Sequence, residues 1–235
     1  MDALTRLAAD PGSAALFLDV DGVLAPIVER PEDAAVPGGV QAELARLVAR
    51  YALVAAITGR PRETAERIVG VPGVRTVGEH GLELEPAAAA FAEDIHRFAD
   101  ETGWPDVERK ALSVALHYRG AADPDAARRR LEHVARRAGE RGLRARFGRR
   151  VLEILPPVTA SKGTAVRRLL GETGLERALY AGDDTTDLDG FAALDGLELA
   201  VRVAVASTES PPELRERADV VVEGPAAFAD LLARL

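Results

Sequence analysis

Two aspartates one residue apart, Asp19 and Asp21, follow an apolar run in LFLDVDGVLAP, residues 16–26. Close carboxylates repel each other, and burial sharpens the repulsion. A chain that aims two of them out of the end of a buried strand expects a cation or a reaction there. Three further stretches carry polar groups directly after short apolar runs. They are Thr58-Gly59-Arg60, Gly78-Glu79-His80-Gly81 and Gly182-Asp183-Asp184, the last with Asp187 behind it. A lone lysine, Lys162, opens an expected helix. The helix dipole disfavours a cation there, which points to a functional reason. Four or more carboxylates around one point make an oxygen-rich site for a hard divalent cation, and Mg²⁺ suits a site shared with phosphate. A carboxylate is a competent nucleophile toward phosphorus, and a second one two residues on can move protons. A hydroxyl and an ammonium can hold phosphoryl oxygens as charge moves.

These groups meet only if the elements before them share one sheet. Short apolar runs predict strands at Ala14–Val20, Ala52–Ile57, Val74–Val77, Arg177–Ala181, Val201–Ala206 and Ala218–Val222. Helical patterns separate most of them: Pro37–Arg50, Pro61–Val69 with proline in the first turn, Ser161–Leu170 with Ser161 as N-cap, Glu213–Arg217 and Pro225–Leu235. Alternating strands and helices imply an α/β, Rossmann-like doubly wound parallel sheet. In such sheets ligands bind beyond the carboxyl ends of the strands, where all four polar stretches lie.

The middle of the chain follows another rhythm. Ala111–Tyr118 alternates, Ala126–Ala138 is amphipathic, and Leu143–Phe147 and Val151–Leu155 alternate around Gly148. A β-α-β-β set suits an antiparallel sheet backed by helices, so the reading is an inserted α+β domain at 86–157 within a core of 1–85 and 158–235. Charge divides the same way. Residues 86–157 hold 14 Lys/Arg and 11 Asp/Glu, a net +3, and the remainder carries −11. A basic insert beside an acidic core suits an anionic substrate held near a metal.

The whole-chain composition removes several classes. A net charge of −8 argues against nucleic-acid binding, and the absence of cysteine excludes disulfides and thiolate metal sites. No apolar run approaches the ~20 residues of a membrane span, and MDALTRLAADPGS has no signal-peptide core. The expectation is a cytoplasmic, monomeric protein with no membrane partner.

In order and on their elements, DVDGV, TGR, SKG and GDDTTD resemble the four motifs of the haloacid-dehalogenase phosphatase superfamily. The resemblance covers the two core segments. It implies Asp19 as nucleophile, Asp21 as general acid/base, and Thr58 and Lys162 as phosphate holders. It implies Mg²⁺ held by Asp19, the Asp21 carbonyl and Asp183, with Asp187 as ligand or support. A finer match is also present. DGVLAPIVERPEDAAVP, GEHG, ERKALSVALHYR, GRRVLEILP and GDDTTDLDGF are similar to the trehalose-6-phosphate phosphatases. In that family the inserted cap supplies the sugar contacts, which by position are Glu108, Lys110, His117, Arg119, Arg149 and Glu153. Gly59, Arg60 and His80 fall in the matching core loops and join the expected substrate contacts. Val23, Arg149, Leu155 and Leu188 depart from the family pattern. Sucrose phosphate, a phosphorylated glycosyl glycerate and an aminocyclitol pseudo-disaccharide phosphate therefore stay open beside trehalose 6-phosphate as the small-molecule substrate.

Overall fold

The computed structural model describes residues 2–148 and 150–235. The chain forms two compact units, Met1–Gly81 with Ala160–Leu235, and Leu82–Thr159.

In the first unit, six strands form one sheet: β1 (Ala15–Leu18), β2 (Leu53–Ile57), β3 (Arg75–Val77), β8 (Arg177–Gly182), β9 (Leu199–Ala206) and β10 (Val220–Glu223). Their order is β10-β9-β8-β1-β2-β3, and every pairing is parallel. The chain runs outward from β1 through β2 to β3, then returns to the other side of β1 and runs outward again. The order therefore reverses around β1, and in such sheets ligands bind beyond the carboxyl end of the strand at the reversal. All four residues of β1 are buried, as befits a strand covered on both faces. Leu16 and Leu18 join Leu7, Leu44 and Phe228, from the helices α1 (Ala3–Ala9), α2 (Gly38–Val48) and α9 (Gly224–Leu232). Phe17 and its register partner Tyr180 point to the other face. There the Tyr180 ring meets Phe191 of α7 (Asp187–Ala192) edge-on, with centroids 6.0 Å apart. Helices α3 (Arg62–Val69), α6 (Lys162–Thr173) and α8 (Pro212–Arg217) complete this unit.

The second unit holds α4 (Ala92–Thr102), β4 (Val107–Arg109), β5 (Val114–His117), α5 (Pro124–Glu140), β6 (Arg144–Gly148) and β7 (Val151–Leu155). Its sheet has the order β4-β5-β7-β6 and is antiparallel throughout. Val114, Leu116, Leu152 and Ile154 face Ile95 and Phe98 of α4 and Leu131 and Val134 of α5. Arginines of α5 and the turn after it extend the core outward. Arg128 lies over Phe147, Arg130 over Trp104, and Arg137 and Arg141 over Phe98, each guanidinium 4.6–5.6 Å from the ring centroid.

Several local expectations need correction. Pro61 is the N-cap of α3 and not a first-turn residue; its carbonyl accepts the first helical bond, from Ala65. The alternating run Ala111–Tyr118 contributes only Val114–His117 to the sheet. The Lys110 N–H donates to the Ser113 carbonyl, so 110–113 form the turn between β4 and β5. Ser113 and Ala115 on the supposed polar side are buried. The sequence patterns do not predict helices α1 and α7 or strand β4, and they give only Ala87–Ala90, a short linker or helix start, ahead of α4. α1 and α7 are too short for periodicity to declare them, and β4 (Val-Glu-Arg) has no apolar repeat. The alanine run before α4 forms a short 3₁₀ turn, Ala88–Phe91, that leads into it. Among the described residues, no helix is long and apolar enough to cross a membrane.

Candidate active site

Asp19 directly follows β1, and its N–H extends the β1–β8 pairing by donating to the Ala181 carbonyl at 3.0 Å. Its side chain is nearly sealed from solvent. Oδ1 accepts from the Val20 N–H at 2.7 Å, and Oδ2 pairs with Lys162 Nζ at 2.8 Å. Beyond Asp19 the chain turns tightly, with the N–H groups of Leu24 and Ala25 both donating to the Val20 carbonyl. Gly22 sits in this turn with φ +78°, and a Cβ there would lie 2.2 Å from Asp183 Oδ2. Glycine is thus required twice over, for its backbone conformation and for the approach of the Asp183 carboxylate.

Lys162 is the first residue of α6. Ser161 caps that helix through a reciprocal pair with Thr164, which holds the lysine at the start of a rigid element. The lysine side chain is buried and bridges Asp19 and Asp187, the latter at 2.7 Å from Oδ1. Asp187 opens α7 and is fully buried. Its Oδ1 also accepts from the Tyr180 hydroxyl at 2.7 Å, and its Oδ2 accepts from the N–H groups of Asp183 and Asp184 at 2.9 and 3.0 Å. A carboxylate offers about four lone-pair positions, so Asp187 is saturated by protein donors. It anchors both Lys162 and the loop that carries Asp183.

Oxygens of Asp19, Asp183 and Asp187 lie within 4.8 Å of one another. Burial pushes the Asp19 carboxyl well above its ordinary range; Lys162 opposes this and the charges of Asp187 and Asp183 reinforce it. Burial works against the Lys162 ammonium too, but Asp187 and Asp19 outweigh it and hold the proton on firmly. Three carboxylates around one ammonium leave a formal charge of −2, which a divalent cation would neutralise. Oxygen donors alone suit a hard ion such as Mg²⁺. Asp19 has one protein donor on each oxygen, so a lone pair remains on each for a metal or a phosphorus atom.

The other expected core residues form a second group. The Asp21 carboxylate lies in the fork of Arg60, with Nε to Oδ2 at 2.7 Å and Nη2 to Oδ1 at 2.8 Å. Arg60 also donates to the Pro31 carbonyl, so it ties the loop after β2 to the loop after β1. Thr58 is buried at the end of β2, and its hydroxyl accepts from the Arg60 N–H at 3.2 Å. The loop bearing His80 is laced to the one bearing Thr58. The N–H of His80 donates to the Thr58 carbonyl and that of Glu79 to the Arg60 carbonyl, both at 2.9 Å. Glu79 and His80 adopt φ +46° and +55°, which non-glycine residues rarely do, and the surrounding bonds impose it. Gly59 is where the His80 ring approaches: a Cβ would lie 2.5 Å from its Nε2.

In the second unit, the strand register brings Glu108, Ala115, Glu153 and Arg146 into one row across β4, β5, β7 and β6. This row lies on the face opposite the helices. Glu108 accepts from or pairs with His117 at 2.9 Å, and that hydrogen bond is the main cause of a carboxyl held below its usual range. Lys110 stands 3.6 Å from Glu153. Four of the six expected sugar contacts therefore share one sheet face. Arg119 lies two residues past β5 and is exposed, and Arg149 falls outside the described residues. Sequence reading missed Arg146, which binds Glu153 at 2.5 and 2.9 Å. Its only signal was its place opposite Glu153 in an alternating hairpin.

The parallel sheet whose order reverses at β1, with its carboxylate site there, and the second, antiparallel unit define the haloacid-dehalogenase-like fold. A haloacid dehalogenase-like hydrolase from Bacteroides thetaiotaomicron shares it, with TM-score 0.63 over 94% of this chain and 98% of its own at 13% identity. A trehalose-phosphatase family model matches residues 17–223, and the chain belongs to that family. A trehalose-phosphate phosphatase of Mycobacterium avium is 37% identical over 207 residues, 77% of this chain and 51% of the relative. An uncharacterized glycosyl hydrolase of Mycobacterium tuberculosis is 39% identical over 218 residues, 80% of this chain but 16% of the relative. The chain thus spans about half or less of these relatives' lengths. A crystal structure described as a trehalose-6-phosphate phosphatase related protein aligns with TM-score 0.74 and 25% identity, covering 94% of this chain and 96% of that one.

Proposed function

We propose that the protein is a Mg²⁺-dependent phosphatase that hydrolyses trehalose 6-phosphate. The observation that carries this reading is the buried set Asp19–Lys162–Asp187 with Asp183, placed where the sheet order reverses. Asp19 and Asp183 would hold the metal, with Asp187 behind them; when bound, the ion neutralises the carboxylates and the phosphate oxygens. An Asp19 oxygen attacks phosphorus as the bond to the sugar 6-oxygen breaks, and that oxygen takes a proton from Asp21. Water then attacks the phosphorus and gives its proton to Asp21 as the Asp19 oxygen–phosphorus bond breaks, releasing phosphate and restoring the Asp19 carboxylate. Arg60 occupies both Asp21 oxygens, so one of them must exchange the guanidinium for the proton it delivers. Thr58 and Lys162 hold phosphoryl oxygens. Glu108, Lys110, His117 and Glu153 bind the disaccharide hydroxyls through paired, partly charged hydrogen bonds.

The test is phosphate release from trehalose 6-phosphate, sucrose 6-phosphate, glucose 6-phosphate and an aryl phosphate, with Mg²⁺ and with EDTA. The expected result is metal-dependent turnover with about 100-fold preference for trehalose 6-phosphate, ~2.7 kcal/mol in the transition state. Asp19→Asn should abolish both turnover and trapped phospho-enzyme. Metal-dependent activity without preference would remove the sugar assignment, and activity in Asp19→Asn would remove the mechanism.

A further inference from the structure

Tyr180 is fully buried, and the reaction scheme above gives its hydroxyl no task. Its ring packs edge-on to Phe191 and against Gly190 of α7, where a Cβ would lie 2.3 Å from the ring Cζ. At Gly182, where β8 ends, a Cβ would lie 2.2 Å from the Asp187 side chain. The room at these two glycines lets the phenol and the carboxylate meet. The Tyr180 hydroxyl donates to Asp187 Oδ1 at 2.7 Å, and Lys162 Nζ donates to the same oxygen, also at 2.7 Å. Oδ2 accepts from the N–H groups of Asp183 and Asp184, which hold the carboxylate against rotation. The phenol therefore fills one of the two lone-pair directions of Oδ1 and leaves Lys162 the other. From that place Nζ also reaches Asp19 Oδ2, at 2.8 Å.

We propose that Tyr180 is a positioning residue for phosphoryl transfer: by sharing Asp187 Oδ1 with Lys162, it keeps Asp187 from capturing the ammonium and holds Lys162 within reach of Asp19 and the phosphoryl oxygens. This rests on the phosphatase reading above and not on the identity of the sugar. Two donors on one oxygen compete for its charge, so the phenol weakens the grip of Oδ1 on the lysine. Without the phenol, the charge-assisted contact between Lys162 and Asp187 tightens, and the ammonium moves off Asp19. It then follows the charge developing on the phosphoryl oxygens less closely, and that loss falls in the transition state. Tyr180 itself touches no reacting atom in this scheme. The effect is common to every phosphate ester, because the phosphoryl group is common to them.

The chain has two lysines, Lys110 and Lys162, so lysine labelled with a nitrogen isotope gives one NMR signal for each ammonium. Lys162→Ala assigns the two. The experiment compares these signals in the unsubstituted protein and in Tyr180→Phe, which keeps the ring against Phe191 and Gly190. It also measures kcat, KM and the half-saturating Mg²⁺ concentration with trehalose 6-phosphate and with an aryl phosphate. In Tyr180→Phe the Lys162 signal is expected to shift while that of Lys110 stays, and kcat should fall about 10-fold for both substrates with KM and half-saturating Mg²⁺ unchanged. An unmoved Lys162 signal or an unchanged kcat overturns the proposal. A rise in KM and in half-saturating Mg²⁺ beside the fall in kcat also overturns it, because a site that has merely loosened loses binding as well. If the unsubstituted protein hydrolyses neither substrate, the phosphatase reading fails and Tyr180 has no step to serve. If it hydrolyses the aryl phosphate alone, only the sugar assignment is lost, and the kcat of Tyr180→Phe on that substrate decides the proposal.

Discussion

Asp187 is a charge with no solvent, made tolerable by an ammonium, a phenol and two amide groups. Asparagine in its place would turn an acceptor into a donor toward groups that are all donors. Removing one partner of a buried charge cluster costs about 3 kcal/mol, so Asp187→Asn should lose that much in urea unfolding as well as most activity. Its neighbour Tyr180 offers a pH test. Burial, with the charge of Asp187 behind it, raises the Tyr180 hydroxyl well above 10.0. The folded state thus keeps a proton that the unfolded chain gives up. The resulting stability is complete below pH 10 and is lost as pH rises beyond it. Tyr180→Phe should cost about 1 kcal/mol at neutral pH for the lost hydrogen bond. The gap between the two proteins should narrow above pH 10, and unfolding titrations from pH 8 to 11 check this. A gap that stays constant would mean that Tyr180 ionises as freely when folded.

At the scale of elements, the same physics places each group at an end. Strands deliver Asp19, Thr58 and Asp183, and helix starts deliver Lys162 and Asp187. A cation at the first position of α6 opposes the helix dipole, and the two carboxylates it bridges outweigh that cost. The capping box of Ser161 and Thr164 keeps the helix from fraying at this residue. Ser161→Ala should lower stability by about 1 kcal/mol in urea titration. It should also slow turnover, through a less restrained Lys162. Unchanged kinetics would show that the carboxylates alone position the lysine.

At the scale of the whole molecule, the described residues build one hydrophobic core around the parallel sheet and another between α4, α5 and the antiparallel sheet. Damage to one should be felt there first. Leu131 is fully buried in the second core, and Leu131→Ala should cost about 2–5 kcal/mol. Hydrogen exchange followed by mass spectrometry should show lost protection in residues 92–155, while β1 and β8 keep theirs. Equal loss in both units would show that they unfold as one.

Most of the architecture was legible in the sequence. Six apolar runs announced the parallel strands: β1, β2 and β8 are buried nearly throughout, as strands covered on both faces must be, while β10 at the sheet edge is only partly covered. Alternation announced β6 and β7, because a half-covered sheet must repeat every second residue. The short elements α1, α7 and β4 were not legible, since their positions come from packing against the rest of the chain. The residue types of the site, and their places after strands, were also determined by the sequence alone. What only the tertiary structure decided is which group touches which. Asp21 pairs with Arg60, Asp187 is saturated as an anchor, and Arg146 takes hold of Glu153. The partners in these contacts stand 39, 25 and 7 residues apart in the chain, for Asp21–Arg60, Lys162–Asp187 and Arg146–Glu153. Local patterns set which elements form, and only the sheet order and register set which of their ends meet.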